Sequence, residues 1–248
     1  MKVFTFYQVF STFLSLPSTP VFVLYLVMIW GSKFYQKYTK PLSLRPILIL
    51  HNVTCSVISL YTAAGMLYGI LESKSVFLKA SSSTLYHFFY VYWITKNIEL
   101  LDTVFMILRH RRRQISFLHV FHHSSMLLLT DFCHRYTPWP AIAFVVGLNS
   151  VVHVVLYAYY AQTAYDPSRA PAWKRNMTQM QIIQFLLGLV HHTFGYIYHG
   201  FCIYGFLYGV GMLYMFSSFY YHAFINKKSF TTYHYKREVT STRNIKYD

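Results

Sequence analysis

The sequence has few charged residues and very few acidic ones. Only 12% of its residues are charged and Asp and Glu together number 7, while hydrophobic residues make up 55%. Soluble domains carry about 25% charged residues. The composition therefore argues against a soluble globular domain and favours an integral membrane protein.

The charges that are present are mostly basic, since 22 Lys and Arg give a formal net charge of +15. Such an excess is typical of proteins that bind nucleic acid, an anionic membrane face or anionic substrates. Nucleic acid is disfavoured, because the basic residues stand in short runs between apolar segments and form no groove-reading motif.

Cysteine is also scarce. Cys55, Cys133 and Cys202 lie far apart in apolar sequence, a spacing that predicts neither a disulfide framework nor a zinc site. The N-terminal segment has one charge, Lys2, and no obvious small-residue cleavage site, so we predict no cleaved signal peptide.

Long apolar segments fill most of the chain. Seven of them approach the ~20 residues needed to cross the hydrocarbon layer of a bilayer. They cover residues 17–33, 46–70, 85–108, 115–133, 139–163, 176–199 and 201–225. The predicted fold is an all-α integral membrane protein with seven transmembrane helices. Residues 1–225 form the membrane domain and residues 226–248 a basic tail.

Most basic residues fall on one side of these seven predicted spans. They follow the first, third and fifth spans or lie in the tail, whereas the opposite loops carry few. Cytosolic loops are enriched in Lys and Arg, so the N-terminus is predicted to be luminal and the tail cytosolic. The residues on the cytosolic side are Lys33, Lys37, Lys40, Arg45, Arg109, Arg111, Arg112, Arg113, Arg169, Lys174, Arg175, Lys227, Lys228, Lys236, Arg237, Arg243 and Lys246.

A histidine array at the start of the fourth predicted span is the most informative feature of the sequence. The segment QISFLHVFHHSSM (114–126) places His119, His122 and His123 at positions i, i+3 and i+4. These positions share one face of a helix. Ionisable groups inside a membrane are costly and mark functional sites. We therefore interpret the array as a site rather than as histidines that only satisfy one another.

Three other predicted spans carry polar residues on one face. These residues are Lys96, Glu99 and Asp102 in the third span, Asn149, His153, Tyr157 and Tyr160 in the fifth, and Thr178, Gln181 and Gln184 in the sixth. Each group alone could simply fix helix packing. Together with the histidine array they predict one internal cavity open to the cytosol. His191, His192 and His199 fall toward the other side of the membrane and are not expected to join it.

Four motifs carry a resemblance to a known family. They are K-x-x-E-x-x-D-T (96–103), H-x-x-H-H (119–123), N-S-x-x-H (149–153) and T-x-x-Q-x-x-Q (178–184). With them the sequence resembles the fatty-acid elongases, the membrane condensing enzymes of very-long-chain fatty acid synthesis. The resemblance implies an acyltransferase of the endoplasmic reticulum membrane that joins malonyl-CoA to a long-chain acyl-CoA, giving 3-oxoacyl-CoA, CO2 and CoA. It also implies that six helices form a ring around an acyl tunnel, with the first helix outside.

The chain departs from the family pattern at two places. The glycine-rich loop common before N-S-x-x-H is replaced by HRYTPWPAI (134–142), which changes the luminal end of the implied tunnel. The C-terminal lysine retention signal is incomplete, because Lys246 is present but Ile245 and Asn244 stand where a second lysine is usual.

The resemblance further implies roles for individual residues. His122 is the expected acyl acceptor of a ping-pong reaction, since an imidazole can form a covalent acyl intermediate and no cysteine accompanies the histidines in the motif. The other expected catalytic residues are His153 facing His122, His119 and His123 moving protons, and Glu99 and Asp102 fixing imidazole tautomers. The expected substrate-binding residues are Arg109, Arg111, Lys174 and Arg175 at the cytosolic mouth, with Lys96, Gln114, Asn149, Tyr159, Thr178 and Gln181 along the CoA and thioester path.

Two alternatives are weighed against this interpretation. A membrane di-iron desaturase or hydroxylase also uses histidine boxes, but it needs several, and this chain has one box plus His153. A seven-span transporter or receptor also tolerates buried charges. We expect no cofactor and no metal. The expected partners are acyl-CoA, malonyl-CoA and the lipid bilayer, with a second copy of the chain (a homodimer) and other enzymes of the elongation cycle as further candidates, and no nucleic acid.

Overall fold

The computed structural model describes residues 6–168 and 172–226, and this part of the chain contains helices and no β-strand. The helices are α1 (Phe6–Ser15), α2 (Ser18–Tyr38), α3 (Arg45–Ser73), α4 (Ser83–Glu99), α5 (Leu101–Leu108), α6 (Phe117–Tyr136), α7 (Pro140–Tyr165), α8 (Lys174–His199) and α9 (Ile203–Tyr220). A 3-10 turn at Arg112–Gln114 precedes α6, and a π-helical turn at Tyr221–Ile225 follows α9. The predicted all-α fold is confirmed. Arg169 and, apart from Asn226, the predicted tail lie outside the described residues.

The predicted spans coincide with helices, but the third is interrupted. Residues 85–108 were expected to form one helix, whereas the chain forms α4 and α5 with Leu100 between them. By length and composition, two described helices, α3 and α7, are long and apolar enough to cross a membrane. α4 is short, with 17 residues, and α6 and α8 carry the polar motif residues. The seven-span count therefore stays a prediction.

The helices pack in a defined set of pairs. α3 packs against α4 and α7, α4 also packs against α6, and α9 packs against α6 and α8. α7 and α8 are in contact as well, and α2 packs against α5 and α6. The close approach of α3 to α4 depends on Gly65, because a Cβ there would collide with the Phe88 ring.

The two ends of the helix bundle differ in chemistry. At one end, α2, α5 and α7 terminate and α3, α6 and α8 begin, and we call it the basic end because Arg109, Arg112 and Lys174 lie there. Gln36 Nε2 donates to the Ile107 carbonyl at 2.9 Å, which connects α2 to α5, and Arg112 donates to Ser32 Oγ at 3.0 Å, which connects α2 to the 3-10 turn.

The opposite end is closed by short loops. The Ala141 N–H donates to the Leu78 carbonyl at 3.1 Å, and Lys79 Nζ donates to the Gly200 carbonyl at 2.7 Å. The segment HRYTPWPAI (134–142) thus contacts the loop that precedes α4. An apolar cluster that includes Met66, Phe89 and Ala143 fills the space between α3, α4 and α7 toward this end, which leaves the polar motif residues in the half nearer the basic end.

Candidate active site

The histidine array lies in the first turns of α6. Ser116 precedes the helix, and its Oγ accepts the backbone N–H of His119 at 3.2 Å, a usual capping interaction at a helix N-terminus. His119 and His123 have ring centroids 4.3 Å apart, and His122 lies edge-on to His123 at 5.6 Å. The three imidazoles therefore lie close together, as the spacing predicted.

A buried ion pair on α4 contacts the histidine of α7. Lys96 Nζ donates to both carboxylate oxygens of Glu99 at 2.8 and 2.9 Å, and Glu99 Oε1 lies 3.0 Å from His153 Nδ1. Lys96 Nζ is also 3.2 Å from that nitrogen and would by itself favour an unprotonated Nδ1, but this contact is longer than the one to Glu99. An unprotonated Nδ1 would set its lone pair against a carboxylate, which only accepts hydrogen bonds. Glu99 therefore favours the tautomer of His153 with the proton on Nδ1 and the lone pair on Nε2.

His122 and His153 face each other from α6 and α7. Their ring centroids are 6.4 Å apart, and the Phe216 ring of α9 lies edge-on to His122 at 6.3 Å. His122 Nδ1 is buried and has no hydrogen-bond partner among the described residues. Leaving a buried polar nitrogen unpaired costs about 1–3 kcal/mol. His134 Nδ1 and His191 Nδ1 are also buried without a partner among the described residues, so it is the position of His122 opposite His153 that favours a ligand or a reaction here.

Asp102 orients a different imidazole from those predicted. Asp102 Oδ1 lies 3.0 Å from His51 Nε2 of α3, and Tyr157 Oη of α7 donates to Oδ2 at 2.7 Å. The break at Leu100 places Asp102 on α5, so the polar stripe expected on one continuous helix is divided. Glu99 holds His153, and Asp102 holds His51 and Tyr157.

The expected thioester path contains a chain of polar groups between α4, α7 and α8. Tyr92 Oη donates to Asn149 Oδ1 at 2.6 Å, and Asn149 Nδ2 donates to Gln184 Oε1 at 3.4 Å. Gln184 is the last residue of the T-x-x-Q-x-x-Q motif, and no role is predicted for it from the sequence. Thr178 is buried and Gln181 half-buried on α8. Together with the Glu99–His153 contact, these contacts connect three of the four motifs through side chains.

The predicted substrate-binding residues at the basic end are more exposed. Arg109 is half-buried, and burial together with the nearby Arg111 charge lowers its pKa from the usual value. Arg111, Gln114 and Lys174 are exposed. Gln114 lies in the 3-10 turn rather than among the buried motif residues, so its position fits the mouth better than the thioester path.

Two further predicted residues at this end pack against aromatic rings. Arg175 Nε donates to Tyr220 Oη at 2.8 Å, which fixes the guanidinium near the end of α9. Tyr159 is buried, with its ring edge-on to Trp173 at 5.1 Å. Both side chains therefore have local partners in this structure.

One cysteine contacts a histidine that lies outside the motifs. Cys55 Sγ lies 3.7 Å from His51 Nε2, the nitrogen that faces Asp102. The motifs place no cysteine beside a histidine, and His51 lies outside them. A signal was available, since His51 is a single histidine in an apolar segment and precedes Cys55 by four residues, the spacing of neighbours on a helix. All three cysteines are free thiols.

The remaining histidines of α8 lie at the opposite end, as predicted. His191 Nε2 is 2.8 Å from the Val76 carbonyl, and His192 Nε2 is 2.7 Å from the Cys202 carbonyl. The His199 ring stacks on Phe77 with centroids 4.5 Å apart. Loop and aromatic contacts occupy these side chains away from His122.

Comparison with known proteins shows which family this chain resembles. The model of the GNS1/SUR4 family matches residues 12–232, which includes all four motifs. The chain is similar to very long chain fatty acid elongase 5 of several animals. Identity to the Homo sapiens protein is 32% over 220 residues, covering 83% of this chain and 73% of that protein. The Mus musculus protein is 32% identical over 227 residues, covering 86% and 75%, and the Xenopus tropicalis protein is 30% identical over 239 residues, covering 89% and 79%.

Proposed function

The chain belongs to the GNS1/SUR4 family of fatty-acid elongases, and from this we propose that it catalyses the condensing step of fatty-acid elongation. The enzyme joins malonyl-CoA to a long-chain acyl-CoA and releases a lengthened 3-oxoacyl-CoA, CO2 and CoA. The observation that carries the proposal is the pair His122–His153, with one histidine unpartnered at a buried nitrogen and the other fixed by a carboxylate.

In the first half of the reaction, a ring nitrogen of His122 attacks the thioester carbonyl of the acyl-CoA. Only a neutral imidazole has a lone pair for this attack. The bond from carbonyl carbon to sulfur breaks, CoA leaves as a thiolate, and the proton lost by the imidazole neutralises that thiolate. The acyl group is then held as an acyl-imidazole, and CoA departs before the second substrate binds.

In the second half, malonyl-CoA loses CO2, and the electron pair of the broken bond stays on the carbon next to the thioester carbonyl. This enolate attacks the acyl-imidazole carbonyl, the bond to the His122 nitrogen breaks, and a proton taken up from solvent restores the neutral imidazole. His153 lies opposite His122 with its tautomer set by Glu99, and His119 and His123 border the same region. These histidines stabilise charge and carry protons between the two halves. None of these steps calls for a resident cofactor.

The CoA moieties bind at the basic end. CoA carries phosphates, and cationic side chains form charge-assisted hydrogen bonds with phosphate. Arg109, Arg111 and Lys174 lie at this end and are at least partly accessible to solvent. The acyl chain then runs past the Asn149–Gln184 pair into the apolar half of the protein.

Family membership and the apolar helices identify a membrane protein. We further propose that seven spans cross the endoplasmic reticulum membrane, with the basic end cytosolic and the N-terminus luminal. Six helices enclose the acyl tunnel, and α2 lies outside them. The pairwise contacts of α3, α4, α6, α9, α8 and α7 in turn support this ring. A second copy of the chain and other enzymes of the elongation cycle are the proposed protein partners.

The test is product analysis with the purified full-length chain in lipid nanodiscs. The chain is incubated with a panel of acyl-CoAs and carbon-13-labelled malonyl-CoA, and products are identified by mass. We expect labelled 3-oxoacyl-CoA, with labelled CO2 when the free carboxyl carbon carries the label. A folded protein that forms no such product with any acyl-CoA, while a characterised elongase does so in parallel, would falsify the proposal.

A further inference from the structure

A hydrogen-bonded chain connects α2 to the histidine array. Tyr25 of α2 is buried in an apolar cluster with Leu100 and Leu127, and its Oη lies 2.9 Å from Thr103 Oγ1 of α5. Thr103 Oγ1 lies 2.8 Å from His119 Nε2. Tyr25 is 3% exposed and Thr103 is fully buried, so water has little access to either hydroxyl. α2 packs on α5 and α6, and through this hydrogen-bonded chain it is connected to the site.

The two hydroxyls and the imidazole have one favourable arrangement of protons. Thr103 Oγ1 is the hydrogen-bond partner of Tyr25 Oη among the described residues. If His119 Nε2 donated to Thr103, the threonine oxygen could accept from both His119 and Tyr25, but the threonine proton would then have no acceptor on either partner. If the threonine proton turned toward Tyr25 instead, the tyrosine proton would lose its acceptor. An unpaired buried donor costs about 1–3 kcal/mol. The arrangement in which Tyr25 donates to Thr103 and Thr103 donates to His119 Nε2 leaves no such donor.

We propose that Tyr25 is a positioning residue for the condensation reaction, acting through Thr103 to keep His119 neutral with its proton on Nδ1. The proposal rests on the proposed function of the site and adds α2 to it. Thr103 has one proton, and Tyr25 directs that proton at His119. The lone pair of Nε2 is thereby occupied, and proton exchange at His119 is confined to Nδ1.

The titratable groups around His119 come from three helices. Asp102 on α5, Tyr25 on α2, and His122 and His123 on α6 are its neighbours. The Asp102 carboxylate favours an imidazolium at His119, and the other two histidines oppose it when charged. A hydroxyl that donates to Nε2 also opposes it. If the Thr103 hydroxyl is free to turn, it can instead accept from a protonated Nε2.

The experiment compares pH profiles of condensation for the full chain in nanodiscs. Tyr25→Phe keeps the ring in its apolar cluster and removes only the hydroxyl. We expect the acid limb of its kcat profile to move to higher pH by about 0.5–1 unit. A shift of this size corresponds to the free energy of one hydrogen bond. The KM values should change less than twofold. Tyr38→Phe removes a hydroxyl from an exposed position of the same helix and should leave the profile unchanged.

Variants of Thr103 test whether Tyr25 acts through it. In a Thr103→Val background, Tyr25→Phe should have no further effect, because the connection is already broken. Thr103→Ser should restore the profile that Thr103→Val loses. A wild-type pH profile for Tyr25→Phe, or equal effects in both backgrounds, overturns this inference alone. Absence of condensation by the wild-type chain overturns the proposed function instead.

Discussion

Glu99 of α4 contacts His153 of α7 at 3.0 Å while Lys96 donates to the same carboxylate at 2.8 Å. The Glu99 and Lys96 side chains are only 1% and 3% exposed. A buried ion pair contributes little net stability relative to apolar residues of similar size, whereas removing one partner costs about 3–5 kcal/mol. The pair is best explained by its contact with the imidazole of His153, which lies opposite His122.

Glu99→Gln should therefore reduce both activity and stability. The substitution keeps the shape of the side chain, but it leaves the Lys96 charge without a counter-ion and weakens the preference of His153 for one tautomer. We expect kcat to fall at least tenfold and the thermal unfolding midpoint in detergent to fall by several degrees. Glu72→Gln makes the same chemical change at an exposed position of α3. If the two variants behave alike, Glu99 does not hold the site.

The sequence predicts those contacts of the site in which both residues belong to the same helix. His119, His122 and His123 are neighbours because of their spacing, and Lys96 pairs with Glu99 across one helical turn. The partners of Asp102 could not be predicted in this way. No Pro or Gly marks the break at Leu100, so the pattern favoured a continuous helix and a continuous polar stripe.

Long-range partners were missed for a related reason. His51 and Tyr25 belong to apolar segments without a motif, and they reach the site only through tertiary packing of α3 and α2. An ionisable residue inside an apolar span is a signal for function, and this signal applies to His51, the one histidine of the predicted span 46–70. Tyrosine gives a weaker signal, because aromatic residues are common throughout this chain.

A second prediction concerns the hydrogen-bonded cluster around Asp102. In Asp102→Asn, an amide NH2 group, which donates hydrogen bonds, replaces one of the two carboxylate oxygens, which accept them. Either His51 or Tyr157 therefore loses its bond. The expected loss of unfolding free energy is about 1–3 kcal/mol, measured by thermal or denaturant unfolding in detergent. Tyr157→Phe should lower stability less in the Asp102→Asn background than in wild type. Strict additivity would show that the carboxylate does not bind the tyrosine in solution.

The basic end should control the apparent affinity for CoA substrates. Replacing Arg109 and Lys174 by Ala removes two cations that can contact phosphate, and we expect the KM for acyl-CoA or malonyl-CoA to rise about 2–5-fold per charge at low salt. The difference should shrink at high salt because exposed charges are screened. Lys79→Ala removes one charge at the opposite end and serves as the control. Equal KM values for the double variant and wild type at both salt concentrations would exclude these residues from CoA binding.

We also predict that catalysis requires no redox metal. Among residues 6–168 and 172–226, no group of three or more His, Cys, Asp or Glu side chains has an arrangement that could hold a metal ion. Elongation by the purified chain should persist after treatment with iron chelators, with metal content followed by elemental analysis. Stoichiometric iron whose removal abolishes activity and whose return restores it would contradict the prediction.

The nucleophile is the most consequential prediction, because the structure offers two candidates. His122 has an unpartnered buried nitrogen and faces His153. Cys55 is a buried thiol whose Sγ lies 3.7 Å from His51 Nε2, and a thiolate is the stronger nucleophile in general. However, His51 Nε2 already faces Asp102 at 3.0 Å. A nitrogen that donates to a carboxylate has no lone pair left to take the thiol proton, so Cys55 lacks a base there.

Incubation with acyl-CoA alone should therefore release free CoA and add one acyl mass to a peptide that contains residues 114–126. His122→Ala should lose both the adduct and elongation, whereas Cys55→Ala and Cys133→Ala should keep both. An adduct on the peptide that contains Cys55 would show that the thiol is the nucleophile. The proton on His51 Nε2 would then have to move, so that this nitrogen could accept the thiol proton. A wild-type enzyme that elongates yet never releases CoA before malonyl-CoA arrives would exclude both covalent routes. The acyl group would then pass directly between the two CoA thioesters in a ternary complex, and the pair His122–His153 would act by stabilising charge and moving protons.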